Sequence, residues 1–337
     1  MRLLVIGGSQ FVGRHLVETA AARGDRITVF NRGQTDALWP AGVEVRRGDR
    51  KADLSALAEG EWDAVVDTCG YLPRDVARTV ECLHGRVGRY VFISSVSVYA
   101  DFTRANDEGS ALGRIDDADT ELVDGRTYGP LKALCEQVVA ARFGERALLI
   151  RPGLIVGPHD PTQRFTYWPA RVALAGVGER VLAPGAADAA VQFIDVRDVA
   201  TFVLRASDDA RSGRFNLVSA PRALTMGAVL EACAVAAGTR PRWQWTNATD
   251  VERCGLKAWS DLPLWLPAHG DHAAFALTDT RAATAAGLTL RPLAQTVADT
   301  LAWYRSLPLD QQAFTKAGMS SEREVLALSQ WGAEAGV

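Results

Sequence analysis

The chain has few lysines and no long apolar run, and each scarcity excludes a class of protein. Only four of its 337 residues are lysine, and 37 basic residues face 40 acidic ones for a net charge of -3. This balance leaves no basic surplus for a nucleic-acid backbone. No apolar stretch reaches membrane-spanning length, and no signal-peptide pattern begins the chain. We therefore expect neither nucleic acid nor membrane among its partners.

Cysteine and metal-ligand patterns are equally sparse. The five cysteines are odd in number, scattered, and form no Cys-x-x-Cys pair, which suits free thiols in a reducing cytoplasm. His269 and His272 lack further ligands at a recognisable spacing, so we expect no metal. The length and the 48% hydrophobic content fit one large or two moderate globular domains.

A strand, a glycine turn and a helix open the chain. Leu3–Ile6 has the apolar run of a buried parallel strand, and helical periodicity follows. Gly7 permits a tight turn, Gly8 keeps the backbone bare, and Gly13 lets the helix pack closely. The helix N-terminus offers amides to a pyrophosphate. The expected dinucleotide contacts are Gly7, Gly8, Ser9, Gln10, Phe11, Val12 and Gly13.

Gln10 stands where the usual glycine fingerprint has its middle glycine. Its side chain either contacts phosphate or ribose, or points away from them.

Strand-like and helix-like segments alternate through the first half of the chain. Apolar runs predict further strands at Arg26–Phe30, Val43–Arg46, Ala64–Asp67, Tyr90–Ile93 and Ala147–Ile150. Helical periodicity predicts helices at Phe11–Arg23, Arg74–Leu83 and Tyr128–Phe143. Repeated βα units imply an α/β fold, a Rossmann-type doubly wound parallel sheet. Ligands of such sheets bind beyond the carboxyl ends of the strands, so the residues after each strand are the candidates.

The residues after the second strand favour a phosphorylated cofactor. An NAD site usually places a carboxylate here to hold the ribose 2′-hydroxyl, whereas this chain has neutral Asn31 followed by cationic Arg32. A guanidinium pairs with a 2′-phosphate and stacks on adenine. The alternative is a solvated arginine in a turn. We predict NADP(H) in preference to NAD(H).

Two more turns complete the expected cofactor contacts. Asp49 and Arg50 follow the third strand, where a carboxylate can accept from an adenine amino group, although a plain turn explains Asp49 equally well. Thr68, Cys69 and Gly70 follow the fourth, in a small-residue turn that lets the cofactor approach the backbone. Cys69 is better explained as a packed residue than as a nucleophile, because no histidine lies nearby in the sequence.

Tyr128 and Lys132 carry the strongest chemical signal. They share one helical face, and the composition would give roughly 0.07 such pairs by chance. A phenol with its ordinary pKa of about 10 is a poor catalyst at neutral pH, and we expect the ammonium to lower that pKa. A serine from the run at Ser94–Ser97 can hydrogen-bond the same substrate oxygen. Together these groups predict proton transfer for alcohol–carbonyl interconversion.

These motifs resemble the extended short-chain dehydrogenase/reductase superfamily, also called the NAD-dependent epimerase/dehydratase family. The matching segments are the glycine turn, Ser94–Tyr99, Tyr128–Lys132, Arg151–Gly153 and Gln192–Val196. The resemblance implies that Ser95 is the catalytic hydroxyl, Tyr128 the acid–base group, and Lys132 also the ligand of the nicotinamide ribose. It also implies that Pro152 contacts the cofactor.

A bacterial branch of reductase-like members is still more similar. It shares the altered glycine motif and the Phe-Asn-Arg-Gly sequence of Phe30–Gly33, and it is similar in turn to chloroplast RNA-binding proteins. The family resemblance implies a homodimer through the helices Arg74–Leu83 and Tyr128–Phe143.

The second half is predicted to form a smaller substrate-binding lobe. Residues 1–151 form the NAD(P)-binding domain with sheet-returning segments near 192–218, and residues 152–191 and 219–337 form the lobe. A strand is expected at Arg214–Val218, and helices at Phe165–Ala175, within Gln192–Leu204, and at Met226–Ala237, Pro292–Ser306 and Ser320–Trp331. Tryptophans between Arg240 and Pro267 either line a pocket or pack in the core, and core packing is the default.

Two departures from the family bear on the substrate. Members that act on nucleotide-diphosphate sugars usually carry an arginine where this chain has Val191 and Gln192, although Arg164, Arg180 or Arg197 could replace it. In addition, the connection at 101–127 is long and acidic, which is typical of a lid or a mobile segment.

The sequence therefore predicts an NAD(P)(H)-dependent oxidoreductase with a small-molecule substrate of unknown identity. One alternative is an epimerase or dehydratase of a sugar or nucleotide sugar, which acts through a transient keto intermediate and needs a further acid–base pair. A second alternative is a non-catalytic protein that binds NADP or RNA.

Overall fold

The computed structural model describes residues 1–332. Its strands are β1 (Arg2–Ile6), β2 (Arg26–Asn31), β3 (Glu44–Arg47), β4 (Trp62–Asp67), β5 (Val87–Ile93), β6 (Ala147–Pro152), β7 (Leu154–Val156), β8 (Arg180–Pro184), β9 (Ala190–Val191), β10 (Phe193–Asp195), β11 (Gly213–Leu217), β12 (Leu224–Thr225) and β13 (Arg242–Thr246). Seven of them form one sheet in the order β11-β6-β5-β4-β1-β2-β3, with every neighbouring pair parallel. The predicted Rossmann-type sheet is confirmed.

Helices cover both faces of this sheet. The helices are α1 (Phe11–Ala22), α2 (Pro73–Leu83), α3 (Tyr128–Phe143), α4 (Tyr167–Ala173), α5 (Val196–Asp208), α6 (Met226–Ala237), α7 (Ala248–Arg253), α8 (Arg281–Ala285), α9 (Leu293–Ser306) and α10 (Ser321–Gly332). Leu3 and Val5 of β1 pack with α1 and α5 on one face. Leu4 and Ile6 pack with α2 and α3 on the other. Because β1 is covered on both faces, all four side chains are apolar.

A second hydrophobic core belongs to the lobe. It joins β8 and α4 to α6, α9 and α10, around the fully buried Trp168. Trp265 is buried in this core, and Trp243 and Trp245 pack against it. These three tryptophans therefore pack in the core, as the default interpretation expected.

The segment after residue 191 only partly returns to the sheet. The strand β11 pairs with β6, close to the predicted Arg214–Val218. The strand β10, however, pairs with β7 in a separate two-stranded sheet. The strand β11 thus returns to the large sheet, whereas β10 does not. In the described part of the chain, no helix has the length and apolar character that crossing a membrane requires.

Candidate active site

A cavity of about 690 Å³ lies at the carboxyl ends of β1 to β4. Most of the predicted cofactor contacts line it, namely Gly7, Gly8, Ser9, Gln10, Phe11, Val12, Gly13, Asn31, Arg32, Asp49, Arg50, Thr68 and Cys69. The cavity therefore lies at the edge of the sheet where parallel sheets bind their ligands.

Four predicted contacts do not line this cavity, namely Tyr128, Lys132, Gly70 and Pro152. Gly70 packs beneath the cavity, where a Cβ would lie 2.5 Å from the ring of Phe92 and 2.8 Å from Val76. Pro152 is buried at the end of β6 and pairs with Leu217. Both residues shape the structure around the cavity, and neither is part of its lining.

The glycine turn is shaped to bring bare backbone to the cavity. Gly7 and Gly8 have φ of +103° and +86°, which side chains rarely tolerate. A Cβ on Gly13 would lie 2.5 Å from the backbone nitrogen of Gly8, so Gly13 lets α1 approach the turn rather than the sheet. The first turn of α1 contains no acidic residue, and no side chain caps its amides. This end of α1 therefore fits an anionic pyrophosphate.

Gln10 connects two loops at the cavity wall. Its Nε2 donates to Oγ1 of Thr35, 3.3 Å away in the loop after β2. The side chain thus lines the cavity while bound to the protein, a third arrangement beside the two that the sequence left open.

The turn after β2 lacks a carboxylate and gathers cationic groups. Oδ1 of Asn31 accepts from the amide of Gly33, 2.9 Å away, and from the guanidinium of Arg47. Nδ2 of Asn31 is buried without a hydrogen-bond partner in the described part of the chain. Arg32 is exposed and lines the cavity. An amide donor and two guanidinium groups therefore border the place where an NAD site usually holds a carboxylate.

Arg50 is committed to the protein interior. Its two terminal nitrogens each lie 2.8 Å from an oxygen of Asp67, and one of them also reaches Thr79. Tyr90 donates to the same carboxylate. Burial of Asp67 raises the pKa of its carboxyl. The Arg50 charge and these hydrogen bonds outweigh that effect and hold the pKa below its ordinary value. Arg50 therefore builds the cavity floor and offers no free charge to a cofactor.

The sequence allowed a purely structural role for Asp49 and for Cys69, and the surroundings of both residues agree with that role. Oδ1 of Asp49 accepts from the amide of Lys51, 3.0 Å away, as in a plain turn. Burial raises the pKa of the Cys69 thiol, and Asp67 adds to this effect. A thiol held in its protonated form is a weak nucleophile.

Ser95 and Tyr128 meet at the carboxyl end of β5. The short helical turn Val96–Val98 starts after Ser95, whose Oγ accepts from the amide of Ser97, 3.1 Å away. Burial raises the pKa of Tyr128, and the nearby Ser95 hydroxyl opposes that rise. The sequence had instead predicted a phenol made more acidic by Lys132.

Lys132 is buried, and its ammonium is held by the chain. Its Nζ donates to the carbonyl of Ile93, 2.7 Å away. The same Nζ lies 4.7 Å, 5.0 Å and 6.0 Å from the ring centroids of Phe92, Tyr71 and Tyr128. Burial lowers the pKa of Lys132, with Tyr71 the largest opposing contribution. The ammonium is thus enclosed by three rings and directed at a carbonyl.

Tyr71 is a site residue that the sequence analysis missed. Its ring is 6.3 Å from that of Tyr128 and is 47% exposed in the main cavity. It therefore joins the dinucleotide cavity to the group of Ser95, Tyr128 and Lys132, which do not themselves line that cavity. Its position directly after the fourth-strand turn was a signal that could have identified it.

Buried polar contacts hold the serine-bearing segment in place. Arg151 is fully buried and forms hydrogen bonds of 2.8 and 2.6 Å with Glu136 of α3. Its Nη1 donates to the hydroxyl of Tyr99, 3.1 Å away, and that hydroxyl donates to Asn216 of β11. The network joins α3, β6 and β11 to the end of the Ser94–Tyr99 segment.

Part of the acidic connection at 101–127 lies over the cavity. Glu121 and Val123 line it, and Glu121 forms an ion pair with Arg74 near the start of α2. The side chain of Asp124 accepts from the amides of Arg126 and Thr127, directly before α3. The covering position agrees with a lid, although the segment forms no helix or long strand among the described residues.

The candidate anion ligands of the lobe differ in their availability. Gln192 lies at the position of the family arginine. Its Nε2 donates to the carbonyls of Ser219 and Thr278, and its Oε1 accepts from the amide of Thr278. Arg197 is paired with Asp195 and Asp299. His269 and His272 flank an exposed turn, and no group of three or more metal-ligating side chains occurs in residues 1–332.

Comparison with known proteins gives relatives of at least two kinds. The chain is 24% identical over 258 residues to the chloroplast stem-loop binding protein of 41 kDa b from Arabidopsis thaliana, covering 70% of this chain and 63% of that protein. It is 31% identical over 162 residues to 2′-dehydrokanamycin reductase from Streptomyces kanamyceticus, covering 46% and 43%. These matches thus span less than two thirds of either relative.

Solved structures show the same fold. UDP-glucuronic acid 4-epimerase from Bacillus cereus, in complex with NAD, superposes with a TM-score of 0.64 at 14% identity, covering 90% of this chain and 98% of that one. The family described as NAD dependent epimerase/dehydratase matches residues 3–217. The chain belongs to the NAD dependent epimerase/dehydratase family, the extended type of short-chain dehydrogenase/reductase.

Proposed function

We propose that this protein is an NADP(H)-dependent oxidoreductase that interconverts a carbonyl and an alcohol. The observation that carries the proposal is the meeting of Ser95, Tyr128 and Lys132 beside Tyr71, at the end of a cavity suited to a dinucleotide. The reductase match supports net redox chemistry.

The chain's own groups handle the substrate oxygen and its proton. A bound nicotinamide supplies or accepts the hydride. In the reducing direction Tyr128 donates its phenolic proton to the substrate oxygen, and Ser95 orients that oxygen by a hydrogen bond. Because burial raises the pKa of Tyr128, the phenol keeps this proton at neutral pH. Lys132 places positive charge beside the phenol and can hold the ribose.

Preference for the phosphorylated cofactor rests on Arg32, Arg47 and Asn31. Two guanidinium groups favour a 2′-phosphate, and the unpaired Nδ2 of Asn31 is a further donor. Replacing Arg32 with Ala should weaken NADPH binding about tenfold with little effect on NADH, as measured by fluorescence titration. Arg26, exposed at the opposite end of β2, provides the matched control. Equal losses for both cofactors would contradict the preference.

The catalytic proposal is tested with NADPH and a panel of carbonyl compounds. Turnover is followed by nicotinamide absorbance, and Tyr128→Phe should lower it at least 100-fold while NADPH binding persists. Tyr304→Phe removes a lobe hydroxyl that bonds the carbonyl of Gln312, and it should leave turnover unchanged. An unaffected rate in Tyr128→Phe would refute the scheme.

One observation bears on the epimerase alternative. Because the Gln192 amide is committed to Ser219 and Thr278, it does not replace the arginine that grips a diphosphate. Epimerisation without net change in nicotinamide absorbance, seen on incubation with nucleotide sugars, would favour that alternative.

A further inference from the structure

Aromatic side chains and one arginine gather on the lobe side of the site. Phe275 packs against Phe102 and Trp259, with ring centroids 5.4 and 5.3 Å apart, and the Arg164 guanidinium lies 5.5 Å from the Trp259 ring. These four residues form what we call the Trp259 cluster. All are partly exposed, whereas Trp168 in the lobe core is fully buried. The cluster thus keeps accessible aromatic surface, which core packing would have covered.

Two members of the Trp259 cluster belong to segments that also contribute to the active site. Phe102 packs against the hydrophobic group of Val96–Tyr99, the segment directly after Ser95. Arg164 lies three residues after Pro161, which lines the dinucleotide cavity. The cluster thus includes residues of two segments that also carry a cavity-lining residue and the neighbours of the predicted catalytic serine.

Arg164 is free to bind an anion. No carboxylate lies within 4.0 Å of its guanidinium in the described chain, in contrast to Arg171 and Arg197 of the same lobe. Burial raises the pKa of Asp160, and Arg164 is near enough to oppose that rise. The two residues form no ion pair. A guanidinium stacked on an indole keeps its edge available for a carboxylate.

The backbone at Trp259 supports a binding role. Its φ is +67°, a left-handed conformation that bulky side chains rarely adopt. Its amide is held by the carbonyl of Trp265, 3.1 Å away. Strained residues held by their surroundings cluster at ligand clamps and active sites. The strain here places the indole between Arg164 and Phe275.

We propose that the Trp259 cluster binds a planar aromatic group of the substrate together with its carboxylate. The aromatic group packs against Trp259, Phe102 and Phe275, and Arg164 pairs with the carboxylate. The substrates are then aryl keto acids, whose carbonyl lies toward Tyr128. This inference rests on the proposed carbonyl reduction.

Binding is tested separately from catalysis, using the Tyr128→Phe protein saturated with NADP⁺. Calorimetry compares phenylpyruvate with pyruvate, which lacks the ring, and with acetophenone, which lacks the carboxylate. We expect phenylpyruvate to bind at least tenfold more tightly than either. Arg164→Gln should abolish the advantage over acetophenone, and Trp259→Leu should abolish the advantage over pyruvate. Arg242→Gln, a change at another exposed lobe arginine, should leave both unchanged.

The outcomes separate this inference from the proposed function. Equal affinity for the three compounds, or no effect of either cluster variant, would overturn the inference even if other carbonyls are reduced. The expected binding pattern without reduction of any carbonyl would instead support the subsite and refute the reductase. Thermal melts establish that each variant is folded. Arg164→Lys keeps the charge and should therefore retain part of the preference for phenylpyruvate over acetophenone.

Discussion

Gly129 allows α3 to lie against the segment Ser94–Tyr99. It follows Tyr128 directly, and a Cβ built on it would lie far inside contact distance of the Ser97 carbonyl oxygen. The obstacle is backbone, which cannot rotate away as a side chain could. Gly129→Ala must therefore move α3 away from Ser95 by on the order of 1 Å, the scale of misplacement that matters for reacting groups.

The expected effect is large on turnover and small on cofactor binding. A displacement of this size costs about 100-fold in rate, or about 2.7 kcal/mol of transition-state stabilisation. Overpacking should also lower the free energy of unfolding by about 1–3 kcal/mol. Lys132 moves with α3, but the glycine turn lies on other elements, so NADPH affinity should fall much less than turnover, by less than about tenfold. The measurements are kcat/KM for carbonyl reduction, a fluorescence titration with NADPH, and urea denaturation.

Gly125→Ala is the matched control for this substitution. A Cβ at Gly125 meets nothing within 4 Å, and its φ is not in the left-handed region. It should change kcat/KM less than twofold. If Gly129→Ala kept kcat/KM within twofold of the original, or lost NADPH affinity to the same extent as turnover, the argument from the Ser97 contact would be wrong.

Three further predictions concern stability, cofactor affinity and pH. Glu136→Ala leaves Arg151 buried without its carboxylate and should lower the free energy of unfolding by about 3–5 kcal/mol in urea denaturation. Gly13→Ala places a Cβ against the backbone of Gly8 and should weaken NADPH binding at least tenfold in a fluorescence titration. Burial lowers the pKa of His159 to about 4, so its contribution to stability is complete above pH 6.5 and is lost as the pH falls toward 4. His159→Gln should remove on the order of 1 kcal/mol of that pH dependence, after allowance for solvent screening.

Each of these predictions has a matched control in the chain. Glu81 forms an exposed ion pair with Arg142 between α2 and α3, and Glu81→Ala should cost less than about 1 kcal/mol. Gly176→Ala meets its nearest atom at an ordinary 3.7 Å and should leave NADPH affinity unchanged. His269 is exposed, so His269→Gln should change the free energy of unfolding by less than about 0.5 kcal/mol. Control effects as large as those of the test variants would contradict the explanations.

The sheet and its helices could be predicted because their signals are local. Leu3–Ile6 is apolar throughout since β1 is covered on both faces. The predicted bounds of α3 coincide with the structure, because Pro130 lies in the first helical turn and Gly144 ends the helix with φ +52°. The same logic placed the cavity at the strand ends.

The partners of individual polar side chains could not be predicted, because they come from distant parts of the sequence. Arg50 follows a strand as a cofactor ligand would, yet Asp67 and Thr79 engage it from other elements. Gln192 lies where the family grips a diphosphate, yet it binds Thr278, 86 residues away. Both side chains are polar and lie near a ligand site, so only the fold distinguishes structural use from binding.

The acidity of Tyr128 shows why spacing alone misleads. The sequence places Lys132 one helical turn from Tyr128. The ammonium lowers the pKa of the phenol only if it is directed at the phenol. In the structure the ammonium donates to Ile93, and burial becomes the largest effect, raising the pKa of Tyr128. A phenol that keeps its proton is ready to donate it to a carbonyl oxygen, whereas alcohol oxidation requires the phenolate. In the proposed reaction, Tyr128 therefore starts in the protonated form that the reducing direction needs.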